Sequence, residues 1–147
     1  MTFKTLQIIF LALLLGQLAF AIIGNMILDE QTGIDTGALI YLVPVVLISL
    51  IALSFYIFNN RMANVNMEAS LDEKFKIYRN SSIIRWSMIE IGNLLAIVAA
   101  IVEGNSVYLM FFAVGLLAFA TTRPNINEFA KRFNLSLDEQ REFFNRR

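Results

Sequence analysis

Four long apolar stretches, at about 6–24, 38–58, 83–102 and 107–122, dominate the chain, and only the third contains charged side chains. An α-helix that crosses a hydrocarbon core of about 30 Å needs about 20 apolar residues. Charged residues make up 16% of the chain, whereas about 25% is usual in a soluble domain. The pattern predicts an all-α integral membrane protein that folds as a four-helix transmembrane bundle.

The polar connection before the third apolar stretch carries its own helix start signal. Ser70 and Glu73 have the spacing of a capping box, in which each side chain satisfies a backbone N–H of the other residue. No Gly or Pro interrupts the chain from Ser70 to Ile91. We therefore predict one continuous helix over 71–102 that begins in the cytoplasm. A break at 80–82, into a surface helix and a spanning helix, is the alternative.

These signals divide the chain into two parts. The predicted transmembrane domain, 1–124, contains four helices at about 6–24, 38–58, 71–102 and 107–122. An Arg-Pro pair follows the fourth helix and ends it, because proline cannot continue a helix. We predict that 125–147 forms a cytoplasmic amphipathic helical tail in two short pieces, the second of which is capped by Ser136.

The first apolar stretch also has some features of a cleaved signal peptide, since Lys4 precedes an apolar run. We expect this helix to be retained, because its apolar residues continue to Ile23, beyond the length of a typical signal sequence. The small residues Ala19 and Ala21, which would mark a cleavage site, lie inside the apolar stretch.

The basic residues predict the orientation of the helices. All 12 Lys and Arg residues lie at Lys4, in 61–85 and in 123–147. The connections after the first and third helices contain four acids and no basic residue. Since Lys and Arg concentrate in cytoplasmic segments of membrane proteins, we predict that both termini are cytoplasmic.

The two halves of the chain share short motifs. Gly-Gln at 16–17 resembles Gly-Asn at 92–93, Gly-Asn recurs at 24–25 and 104–105, and Tyr-Leu recurs at 41–42 and 108–109. An internal duplication would make the bundle two parallel hairpin repeats. The glycine motifs are 8 residues apart in the first hairpin and 12 in the second, however, so a helical turn would have to be inserted. Chance similarity between apolar sequences is therefore the preferred interpretation.

Glu90 is the acidic residue inside a predicted span, 12 residues before Val102 and therefore about 18 Å from the outer end of the helix. A carboxylate at the membrane centre costs at least about 2.5 kcal/mol, so it should face other helices. Asn93 follows one turn later, and Gln17 of the first helix lies at a similar depth. We predict an intramembrane polar site of Glu90, Asn93 and Gln17. It either carries a proton, ion or ligand or, as we prefer, joins the helices through hydrogen bonds.

Four further side chains are predicted to anchor the protein at the membrane interface. They are Arg79, Arg85, Trp86 and Arg123. Arginine near a helix end extends its guanidinium toward lipid phosphates, and tryptophan concentrates at the same depth. We expect Arg85 to face lipid in this way, because a spacing of five residues points it away from Glu90.

The chain has no Cys and no His, and it lacks the Gly-rich, Ser/His and paired-carboxylate patterns of phosphate, nucleophilic and metal sites. We therefore expect no enzyme activity, no cofactor and no metal. The formal net charge of zero provides no basic field for nucleic acid. The expected partners are the lipid bilayer and either further copies of the chain or a larger membrane complex.

The string IIRWSMIEIGNLLAIVAAIVEGNSVYLMFFAVGLLAF, followed by TRPNINEFAKRFNLSLDEQ, resembles a family of small four-helix inner-membrane proteins of Bacteroidetes bacteria. Those proteins have a Glu-Gly pair early in the third helix, where this chain has Ile91 between Glu90 and Gly92. The resemblance implies four helices and a bacterial inner membrane but no mechanism, since the family has no assigned function. We expect a non-enzymatic accessory or oligomeric interaction protein; the alternative is a small proton-coupled transporter or channel that uses Glu90.

Overall fold

The computed structural model of the protein describes residues 2–28 and 37–145, with side chains described as far as Arg141. Six helices and no strand occur in these residues: α1 (Phe3–Ile27), α2 (Leu39–Ala63), α3 (Leu71–Glu103), α4 (Val107–Thr121), α5 (Ile126–Arg132) and α6 (Leu137–Asn145). The predicted all-α class is confirmed for this part of the chain. Most of the acidic connection after the first helix, at 29–36, lies outside the described residues, as do Met1 and 146–147.

The first two helices are longer than their apolar stretches predicted. α1 begins at Phe3, because the hydroxyl of Thr2 caps it by accepting the backbone N–H of Thr5 at 3.3 Å. α2 continues beyond Phe58 to Ala63. The polar residues at 59–61 include neither Gly nor Pro, so the helix extends beyond its apolar part.

The continuous helix predicted over 71–102 is observed as α3, which has 33 residues, and the alternative break at 80–82 is wrong. Ser70 caps it by accepting the backbone N–H of Glu73 at 3.3 Å. Gly104 ends it in the left-handed conformation, with φ of 60°, which glycine adopts without a steric cost. The capping box in the sequence therefore marks the start of this helix.

α3 lies at the centre of the fold, because it packs against α1, α2 and α4. Two glycines permit close approaches between these helices. A Cβ added to Gly92 of α3 would lie 2.7 Å from Cδ1 of Leu47 on α2, and one added to Gly24 of α1 would lie 2.8 Å from Cγ2 of Ile97 on α3. Small residues at such positions allow a neighbouring side chain to rest against the helix backbone.

Three helices, α1, α2 and α3, are each long and apolar enough to cross a membrane. α4 has 15 residues and meets the same test only together with α5, from which it is bent by 62°. α1 and α2 expose large apolar side chains, for example Ile22 at 62% and Tyr56 at 66%. Apolar surfaces on helices of this length are compatible with a multi-pass membrane protein.

The tail packs onto one end of the long helices. The ring of Phe129 in α5 is fully buried and lies 5.2 Å from the ring of Tyr78 and 5.9 Å from that of Phe75. Phe133 and Leu135 belong to the same hydrophobic cluster. The predicted transmembrane domain and tail therefore share a core at this end of the fold, which we call the tail-side end.

A complete capping box begins α6, as the spacing of Ser136 and Glu139 predicted. The backbone N–H of Ser136 donates to Oε2 of Glu139 at 2.7 Å, and the backbone N–H of Glu139 donates to the hydroxyl of Ser136 at 3.2 Å. Hydrogen bonds from the backbone N–H and from the side chain of Ser136 to the Glu139 carboxyl lower the pKa of that carboxyl below its ordinary value. The ionised carboxylate is therefore the form that stabilises the start of α6.

We expect the start of α6 to lose helicity in acid. Because its folded-state pKa is lowered, Glu139 stabilises the helix above the ordinary carboxyl pKa, and this stabilisation disappears as the pH falls through the lowered pKa. Cα chemical shifts of residues 137–141, measured by NMR across the acid range, should move toward coil values. Glu139→Gln keeps an uncharged acceptor, so its shifts should not follow the same titration. An identical titration in that variant would contradict this assignment.

Candidate functional site

Two of the three predicted polar residues meet between α1 and α3. The side-chain Nδ2 of Asn93 donates a hydrogen bond to Oε1 of Gln17 at 2.6 Å, and the two residues are 0% and 1% exposed. We call Gln17 and Asn93 the amide pair. A hydrogen bond of this kind between apolar helices contributes about 0.6–2 kcal/mol to their association.

The amide pair is enclosed tightly. Nε2 of Gln17 and Oδ1 of Asn93 have no hydrogen-bond partner among the described residues. A Cβ added to Gly115 of α4 would overlap Oδ1 of Asn93 and would lie 3.0 Å from Cδ1 of Leu47. The amide pair therefore joins α1 to α3, and the backbone of α4 covers it. This arrangement is suited to holding the helices together.

Glu90 does not join the amide pair. It forms no hydrogen bond or ion pair with a described residue, and it is partly exposed beside Ile91, which is 58% exposed. Three residues along an α-helix rotate the side chain by about 300°. Glu90 is therefore displaced by about 60° from Asn93, toward the outer surface of the helices.

Arg85 and Trp86 are buried, so their predicted roles as lipid-facing anchors are wrong. Nη2 of Arg85 and the indole Nε1 of Trp86 both donate to the backbone oxygen of Thr122, each at 3.3 Å. The guanidinium carbon of Arg85 also lies 3.8 Å from the ring centre of Phe58. The last carbonyls of a helix lack intrahelical partners and carry partial negative charge, so the end of α4 attracts these donors inward.

The other two predicted anchors have different surroundings. Arg79 is partly exposed, and its Nε and Nη2 each donate to Oδ1 of Asn80 at 3.2 Å. Arg123 is exposed just after α4. The interface role of Arg79 and Arg123 stays a prediction.

A row of buried hydroxyl groups lies on α3 and was not predicted from the sequence. Tyr78, Ser81 and Ser82 are 0–1% exposed, and none of the three hydroxyls has a hydrogen-bond partner among the described residues. We call these three residues the hydroxyl row. Their spacing relative to Arg85 places all of them near one face of the helix, and that periodicity could have revealed the row from the sequence.

Comparison of the chain with protein-family models, with curated proteins and with solved structures finds no match. The function is therefore inferred from the chemistry of the described side chains and their surroundings.

Proposed function

We propose that the chain is a multi-pass protein of a bacterial inner membrane that acts by contact, as an accessory subunit or as a homo-oligomer, and not as an enzyme. The length and apolar surface of α1, α2 and α3 support membrane insertion. α4 would provide a fourth, short span and complete a transmembrane four-helix bundle. The resemblance to small inner-membrane proteins of Bacteroidetes supports the choice of membrane.

The proposed orientation places the tail-side end in the cytoplasm. The basic residues from 61–85 and 123–132 belong to this end or to the connections beside it. The opposite end carries Glu103, the last residue of α3, and no Lys or Arg occurs in the sequence that joins α1 to α2. The distribution of Lys and Arg therefore supports cytoplasmic termini.

The observation that carries the contact function is the position of Glu90. A carboxyl group at membrane depth is costly unless it is protonated or hydrogen-bonded, and no described residue of this chain pairs with it. It lies beside exposed Ile91 on the outer surface of α3. A transmembrane helix of another subunit, with a hydrogen-bond donor at the same depth, would satisfy the carboxyl group and cover Ile91.

The position of Glu90 gives less support to the alternative, a proton-coupled transporter or channel. Transport through the helix bundle requires polar groups that follow one another across it. Glu90 is separate from the amide pair. Between that pair and the tail-side end, the ring centre of Phe10 lies 5.4 Å from that of Trp86 and 5.0 Å from that of Phe119. Contact with another membrane chain therefore accounts for Glu90 more directly than an internal pathway does.

Glu90→Leu is expected to weaken the complex at least ten-fold, because it removes the carboxyl group that a partner helix would bind. Glu90→Gln keeps a hydrogen-bonding side chain and should weaken the complex less. The measurement is purification from native membranes in a mild detergent, followed by native mass spectrometry, which separates a complex from the 16.7 kDa chain. Glu68→Gln, at an exposed position between α2 and α3, is the control for loss of one charge.

Two results would count against the contact function. The first is a monomer that carries no partner when extracted at native expression levels. The second is a proton flux in vesicles that the wild-type chain supports and Glu90→Gln abolishes while leaving folding and assembly unchanged. The second result would favour the transporter instead.

A further inference from the structure

The tail-side end contains a buried cation whose charge is not paired. Arg85 is 6% exposed, and it forms no ion pair with a described carboxylate. A guanidinium has five N–H donors, of which one, on Nη2, is bonded to the oxygen of Thr122. The buried Nε has no partner among the described residues. The contacts to Thr122 and Phe58 therefore leave most of the donor capacity of Arg85 unused.

The hydroxyl row adds further unused polar groups beside Arg85. Ser82 and Ser81 precede Arg85 by three and four residues, and Tyr78 precedes it by seven, spacings that repeat along one side of an α-helix. Each buried polar atom left without a partner costs about 1–3 kcal/mol. Four such atoms occur within two turns of α3, and their number suggests a group that is bound in the functional state.

A second guanidinium lies near the first and reaches the surface. The guanidinium carbon of Arg132, on α5, is 5.3 Å from the ring centre of Phe58, which Arg85 also contacts. Arg132 donates to Glu128 at 3.2 Å, and the two side chains are 34% and 43% exposed. Two guanidinium groups and one carboxylate leave a net positive charge. Arg132 is therefore a cation near Arg85 that solvent can reach.

We propose that Arg85, Arg132 and the hydroxyl row bind a phosphate oxyanion, carried either by the headgroup of an anionic phospholipid or by a free phosphate. A phosphate has several oxygens that accept hydrogen bonds from guanidinium and hydroxyl donors at once. It would pair the charge of Arg85 and satisfy the orphan donors. Basic pockets between helices on the cytoplasmic side of a membrane bind lipid headgroups in this way. This proposal does not depend on the contact at Glu90.

Trp86 provides the measurement, because it is the single tryptophan of the chain and shares the oxygen of Thr122 with Arg85. The full chain in neutral detergent micelles is titrated in separate arms with phosphatidylglycerol, with phosphatidylcholine and with inorganic phosphate. We expect a saturable change in Trp86 fluorescence. A response to phosphatidylglycerol alone assigns the site to an anionic lipid, and a response to inorganic phosphate assigns it to a free phosphate.

Three substitutions test which residues form the site. Arg85→Gln is expected to weaken binding at least ten-fold, and Arg132→Gln should weaken it three-fold or more. Arg61→Gln, which removes an exposed cation at the same end of the fold, should change the affinity less than two-fold. Arg132 is partly exposed, so its substitution should leave the fold intact. Arg132→Gln therefore tests the phosphate site if Arg85→Gln does not fold.

The proposal fails if none of the three titrations saturates. It also fails if Arg61→Gln weakens binding as much as Arg132→Gln does, because that result would show general attraction to a basic surface. Loss of binding in Arg132→Gln with an unchanged complex at Glu90 would support the phosphate site and leave the contact function intact. If the chain bound phosphate but formed no complex at Glu90, that result would contradict only the contact function.

Discussion

Gly115→Ala is expected to lower the free energy of unfolding by about 2 kcal/mol, within the range of about 1–3 kcal/mol that overpacking usually costs. The added methyl group would overlap Oδ1 of Asn93 and press on Cδ1 of Leu47. The amide pair cannot move away freely, because Asn93 is fully buried and bonded to Gln17. Unfolding in mixed detergent micelles, followed by circular dichroism, measures the change.

Gly16→Ala is the matched control for this prediction. Gly16 also lies inside a long helix, but a methyl group added there would have no neighbouring atom within 4 Å, so alanine should be neutral or slightly stabilising. The double substitution Gly115→Ala with Asn93→Ala should cost less than the sum of its single substitutions, because Asn93→Ala removes the overlapping oxygen. Equal effects of alanine at the two glycines would show that α4 does not pack on Asn93 as described.

Phe129→Ala is expected to release the tail, since truncation of a buried phenylalanine costs about 3–5 kcal/mol. Its ring is fully buried, and its ring centre lies 5.2 Å from that of Tyr78 and 5.0 Å from that of Phe133. Trypsin should then cleave after Lys131 and Arg132 at least ten times faster than in the wild type, because cleavage follows the population of the open form.

Leu137→Ala provides the comparison for the tail, because Leu137 is 72% exposed and its truncation creates no cavity. Its cleavage rate should stay within about two-fold of the wild type, since surface substitutions rarely change stability by more than about 0.5 kcal/mol. If Phe129→Ala left the cleavage pattern unchanged, the tail would be held by something other than its aromatic contacts.

The helices could be predicted from local signals, and the start of α3 shows why. Ser70 and Glu73 are three residues apart and form their capping contact within one turn, so the sequence contains everything that determines it. The end at Gly104 is equally local. The depth of Asn93 and Gln17 could also be compared by counting residues, and the two side chains meet.

The direction of a side chain around its helix axis could not be predicted in the same way. Glu90 and Asn93 differ by about 60° around the axis of α3, and the boundary between the buried and outer faces falls between them. The burial of Arg85 depends on Thr122, 37 residues later, because the end of α4 happens to lie beside it. Contacts between residues so far apart in the sequence leave no periodic signal in either segment.

The uninterrupted course of α3 has a mechanical consequence. With 33 residues it is a rod about 50 Å long, and neither Pro nor an internal Gly-Ser pair provides a joint along it. A tilt of about 10° around its outer end would displace its first turn by about 9 Å, by simple leverage over that length. A partner that reorients α3 near Glu90 would thus move Tyr78 and the docked tail with it, without any change inside the rod.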